Sequence, residues 1–170
     1  IHNLNNVIIE GDGDSQVNFF TKNYYRNVLN ISNCSIITLK NLNFGHEPMI
    51  DSEHCAGGVL SLSNCKNINI DNCTMFGCGT IGISANNISG LNCSNSIIRD
   101  CTLYLMDLDN VTNAYFKNCV FLNKKDETIN LTGDMTLENC QLKGEFTSYP
   151  NIVKDNINLL DMPNDKRVYQ

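Results

Sequence analysis

Tryptophan is absent, and proline and histidine occur three times each in 170 residues. Charged residues make up 18%, against a usual share of about 25%. The net charge is −6, and no basic stretch exceeds Lys124-Lys125 or Lys166-Arg167. A nucleic-acid binder needs a basic face to neutralise phosphates, so that class is excluded. No apolar run approaches the roughly 20 residues of a membrane-spanning helix. The opening IHNLNNVIIEG is a strand pattern with no basic start and no long apolar run, so it is not a signal peptide. It reads like the middle of a larger protein.

Against these shortages stand 28 asparagines and nine cysteines. Asparagine is poor in helices and usually poor in strands. Either much of the chain is disordered, or asparagine has a repeated structural job. The odd cysteine count leaves at least one thiol unpaired within the chain, and the spacings are neither CxxC nor zinc-finger-like.

An internal repeat settles the choice. With VLSLSNCKNINIDNCTM at 59–75 as template, VLNISNCSIITLKNLNF lies 31 residues upstream and GISANNISGLNCSNSII lies 23 downstream. Another step of 23 gives LMDLDNVTNAYFKNCVF, and the next, closing to 21, gives TINLTGDMTLENCQL. The aligned columns are chemically uniform. One reads Leu29, Leu60, Ile83, Met106, Ile129; a second reads Val7, Ile37, Ile68, Leu91, Ala114, Met135; a third reads Phe44, Met75, Ile98, Phe121, Leu142. Between them the residues are mostly polar, which is period-2 alternation nested in a period near 23.

A unit with three short strands cannot bury its apolar face alone, but stacked units can. The expected fold is all-β: a single-stranded parallel β-helix, a solenoid of three parallel sheets with about 23 residues per coil, over residues 1–144. Residues 145–170 lose the repeat and are expected to form a cap or tail. Two asparagine columns then mark tight corners: Asn41, Asn72, Asn95, Asn118, Asn139, and Asn3, Asn33, Asn64, Asn87, Asn110, ending in Gly133. Asparagine tolerates left-handed backbone there, and its amide can bond to the copies above and below. Inward-facing amides would make Asn33-Cys34-Ser35 and Asn72-Cys73-Thr74 poor glycan acceptors. Most cysteines are expected as free thiols in the core.

The I-x-I-x-N-C strands, such as INIDNCTM at 68–75, and the asparagine corners resemble right-handed parallel β-helix proteins of the pectate-lyase-like superfamily. The segment 45–84 resembles bacterial β-helix repeat proteins. The resemblance implies an exported bacterial protein, secreted or at the cell surface, that binds or acts on polysaccharide. It implies a saccharide groove along the first sheet, at 28–32, 59–63, 82–86, 105–109 and 128–132. Activity, if present, would be that of a polysaccharide lyase or glycoside hydrolase. The NTD, DD, GHG and RIK stations of polygalacturonase-like hydrolases are not met, however. Arg99 aligns with Gly45 and Phe76 rather than with the groove, so no catalytic set transfers and an enzyme is not the favoured reading.

The outward positions of the first sheet are all small and polar, among them Ser84, Asn86, Asp107, Asp109 and Asn130. Asp107 and Asp109, at i and i+2 on one strand, share a face about 6.5–7 Å apart at Cα. Retaining glycosidases hold their carboxyls about 5–5.5 Å apart and inverting ones about 6.5–9.5 Å. The alternatives are saccharide contact, a calcium ion held by oxygens, or two solvated acids. His46, Glu47, Asp51, Glu53, His54 and Cys55 cluster in an insertion expected to overhang this sheet; their spacing matches no metal motif, and no metal or cofactor is assigned. Tyr24, Tyr25 and Tyr104 are the candidate aromatic walls. The competing reading is a structural or adhesive repeat segment, favoured by a flat exterior where the saccharide reading needs a groove.

Overall fold

The computed structural model describes residues 1–13, 15–47, 56–77, 80–123, 128–143, 145–148, 152–155 and 158–160. Alternating apolar residues make strands throughout: seventeen are described, and no helix occurs among the described residues. Each coil supplies three faces. The first face holds β3 (Leu29–Ser32), the first halves of β6 (Leu60–Asp71), β8 (Ile81–Ser94) and β10 (Tyr104–Lys117), then β12 (Thr128–Thr132) and β15 (Glu145–Ser148). The second holds β1 (Asn5–Glu10), β4 (Ser35–Lys40), the second halves of those three long strands, β13 (Met135–Glu138) and β16 (Ile152–Asp155). The third holds β2 (Val17–Thr21), β5 (Leu42–His46), β7 (Thr74–Phe76), β9 (Ile97–Arg99), β11 (Val120–Leu122), β14 (Gln141–Lys143) and β17 (Asn158–Leu160). Neighbouring coils pair in parallel on every face.

The expected columns are the observed ones over most of the chain. Val7, Ile37, Ile68, Leu91 and Ala114 stand in register on the second face, and Phe44, Met75, Ile98, Phe121 and Leu142 on the third. From the second coil to the sixth these residues are buried. Each fully buried Leu, Ile, Phe or Met contributes about 1.5–3 kcal/mol relative to an exposed one. The first and second faces are continuous, because β6, β8 and β10 each run unbroken round the corner between them.

β12 departs from the expected register. Met106 pairs with Leu131, not Ile129, and Asp107 with Thr132. The step between these coils is 25 residues on the first face (106 to 131) and 21 on the second (115 to 136). Extra residues before β12 are thus compensated by a shortened corner after it. Gly133 consequently lies against Leu108 rather than in the Asn110 column; a Cβ there would sit 2.2 Å from the Leu108 carbonyl oxygen. Beyond 143 the strands of the expected cap continue the stacking: β15, β16 and β17 pair in parallel with β12, β13 and β14.

The corners are left-handed, as asparagine permits. Asn41, Asn72, Asn95, Asn118 and Asn139 all have φ between 48° and 55°, and the Asn3 column shows the same values as far as Asn110. A third left-handed column, Asn6, Ile36, Asn67, Gly90 and Asn113, was not expected. Ile36, at φ 54°, is β-branched and strained there by roughly 1–2 kcal/mol. The amides do not face inward as expected. Asn41 is buried, but Asn95, Asn118 and Asn139 are exposed. The inward site beside each is already filled by Leu42, Cys73, Ser96, Cys119 or Cys140. Asn33 is exposed too, so inward burial does not shield its glycan triplet. The ladder is real but interrupted: Asn72 donates to Asn41 at 2.9 Å and Asn118 to Asn95 at 3.2 Å, while Asn95 donates to Asp71 at 2.8 Å.

Seven described cysteines are free and buried; Cys55 and Cys78 lie outside the described residues. Burial pushes the Cys73 thiol up to about 11, and a hydrogen bond with Cys119 followed by burial raises Cys140. Protonated, enclosed thiols are core residues, not nucleophiles.

Candidate functional site

The first face is built from the outward alternate positions of β6, β8 and β10. Parallel register places Ser61, Ser84 and Asp107 in one row and Ser63, Asn86 and Asp109 in the next. Ser84, Asn86, Asp107 and Asp109 are therefore brought together, as expected from the sequence. Their polar atoms engage one another. Thr132 donates its hydroxyl to Asp107 Oδ1 at 2.7 Å, and Asn86 donates its amide to Asp109 Oδ2 at 2.5 Å. Thr132 reaches Asp107 only because of the shifted register of β12. Asn130 lies two residues earlier on β12, where its backbone pairs with Thr147, and so sits one step away from the carboxylates.

His46 and Glu47 are elsewhere. His46 ends β5 on the third face, three coils before Asp107, and is fully buried. Its Nε2 lies 2.9 Å from the Arg26 carbonyl oxygen, its ring packs 6.2 Å from Tyr24, and Nδ1 has no partner. The Glu47 amide is bonded to the Thr21 carbonyl. The two insertions meet here, since Ala56 and Gly57 both donate backbone N–H groups to Tyr24 O. Asp14, Asp51, Glu53, His54 and Cys55 lie outside the described residues.

Aromatic walls do not line the first face. Tyr24 is against His46, Tyr25 is exposed in the insertion, and Tyr104 is half-buried at the start of β10. The aromatic stack is on the third face instead. The Phe76 ring leans across Gly45 to meet Phe20 at 5.5 Å, and the Arg99 guanidinium lies 4.4 Å over Phe76.

A groove of about 330 Å³ runs along the first corner, a feature sequence reasoning missed. Asn64, Asn87 and Asn110 form one lip, Lys66, Ser89 and Thr112 the other, and Cys65 and Ile88 the floor. Asn87 donates to Asn64 at 3.1 Å and Asn110 to Asn87, which fixes the first lip. The signal was present in the unbroken asparagine column, but the groove depends on the third left-handed column behind it.

No group of three or more His, Cys, Asp or Glu side chains converges among the described residues. Calcium takes about six to eight oxygens. Two carboxylates, each already accepting a hydrogen bond, fall short of that set, so the donors do not fit the ion. Nor do a base, an acid and a third group converge on the first face, as catalysis would require.

A family model described as a right handed beta helix region matches residues 2–147. The chain belongs to this right-handed β-helix family. No curated protein and no solved structure was found to match it. Family membership fixes the handedness of the coil and leaves activity open, since one solenoid scaffold serves many functions. In this β-helix protein the described residues contain no helix long and apolar enough to cross a membrane.

Proposed function

We propose that this β-helix is a non-catalytic segment of an exported bacterial protein that contacts polysaccharide along its first face, around Asp107 and Asp109. The supporting observation is the set of in-register rows of serine, asparagine and aspartate on β6, β8 and β10. Such rows offer repeated acceptors and donors at the strand spacing of about 4.8 Å, suited to an extended hydroxyl-rich chain. Each carboxylate has one oxygen engaged and another available to accept from a hydroxyl. The mutual engagement of the acids argues against a general acid poised to give up a proton.

The second reading, a structural or adhesive segment, is favoured by a different observation. The described groove lies at the corner, not on the first face, and no aromatic wall borders the carboxylates. A glycan array with the native chain and the Asp107→Ala/Asp109→Ala pair decides between them. Binding lost in the double variant, with unchanged thermal stability, supports the saccharide face. Binding that survives removes the site from this face, and no binding to any glycan leaves the structural segment. Incubation with the bound glycan should release no product.

A further inference from the structure

The two ends of the solenoid differ. At the N-terminal end, β1 and β2 are outermost in their sheets, and among the described residues no strand pairs with their outer edges. The core columns stop there uncovered. Val17 and Phe19 are each 44% exposed, whereas Leu42 and Phe44, one coil on in the same columns, are 3% and 1% exposed. Val7 and Ile9 are only partly buried, above the fully enclosed Ile37 and Leu39.

The other end carries charge in the same frame. The column Ile9, Leu39, Ile70, Cys93, Phe116, Leu137 passes to Lys154, and Glu138 pairs with Asp155. A lysine at a core register position on an outermost strand discourages further stacking, the usual protection of a free sheet edge. No charge interrupts the core columns at the N-terminal end.

The side-chain ladders also have a direction. Every described amide-to-amide bond between coils runs from a later coil to an earlier one: Asn43 to Asn18, Asn72 to Asn41, Asn87 to Asn64, Asn92 to Asn69. The N-terminal end therefore presents amide donors, and its complement must present amide acceptors along with parallel strand edges.

We propose that the N-terminal end is a docking surface for the C-terminal edge of another parallel β-helix coil, one with apolar residues over Val7, Ile9 and Phe19. This chain's own C-terminal coil is a poor occupant, because it would set Lys154 on Ile9 and Asp155 on Glu10. The coil belongs to a different β-helix segment. The proposal is independent of the saccharide reading.

The test adds such a coil. A copy of residues 85–107 placed directly before Ile1 lets Ile1 follow Asp107 as Leu108 does, and sets Leu91, Cys93 and Ile98 of the copy over Val7, Ile9 and Phe19. Amides of β1 and β2 are expected to exchange about tenfold more slowly or better, with a higher Tm. Lysine in the copy at the positions of Leu91 and Ile98 should abolish the gain. Unchanged exchange in β1 and β2 overturns the proposal. In the unextended chain, Phe19→Ser should lower binding of a hydrophobic dye while β6, β8 and β10 keep their protection; undiminished dye binding counts against an open apolar end. A dimer by light scattering that Phe19→Asp dissociates would assign the end to a second copy and also overturn it.

Discussion

Phe19 and Phe44 occupy one column, one coil apart, with rings 5.9 Å from centroid to centroid, yet only Phe44 is enclosed. Their sequence environments are alike. The difference is that Phe44 has a coil on both sides and Phe19 on one. In a solenoid, burial is a property of stacking, and a residue's place in the repeat predicts its direction but not its enclosure.

The largest effects should follow that difference. Phe44→Ala is expected to cost about 3–5 kcal/mol, the usual range for an enclosed phenylalanine. Phe19→Ala should cost less than about 1.5 kcal/mol, since much of its surface stays in water. Urea unfolding of the two variants checks this, and equal losses would break the comparison. Glycines sharpen it next. Gly133, with φ +93° and no room for a Cβ beside Leu108, should lose roughly 2–3 kcal/mol on change to alanine. Gly13, at φ +76° with nothing within 4 Å, should lose only about 1 kcal/mol of backbone strain.

A smaller effect, of opposite sign, is expected at the third left-handed column. Ile36→Asn should gain about 1 kcal/mol, and Asn67→Ile, one coil later, should lose a similar amount. Thermal melts of the pair test whether the strain belongs to the residue or to the corner. The least effect is on pH dependence. The Cys73 thiol is raised by burial from an ordinary 9.0 to about 11, so the folded state disfavours the thiolate. Its contribution is whole below pH 9.0 and is lost as pH climbs from there toward about 11. Cys73→Ala should flatten the fall in stability between those limits, while first-coil variants such as Phe19→Ala should leave it unchanged.

Much of this architecture was legible because its determinants are periodic. Apolar alternation and the Asn72 and Asn64 columns give coil, corner and core from residue type alone. The third left-handed column escaped because Ile36 and Gly90 break its chemistry, although its backbone geometry is the same. The register of β12 escaped because extra residues before the strand are offset by missing ones after it, and only hydrogen bonding shows where each falls. That shift decides the candidate site, since it puts Thr132 on Asp107. His46 looked like an overhanging ligand but is enclosed by Tyr24, Arg26 and Gly77, contacts between segments far apart in sequence. The outward amides of the Asn72 column followed from what filled the core beside them, which no single column reveals.

Hydrogen exchange along the native chain tests most directly whether stacking, rather than repeat position, sets enclosure. Protection should be lowest in β1 and β2, rise through β4 and β5, and be highest in β6, β8 and β10, although all share the same columns. Uniform protection from β1 to β10 would contradict the account.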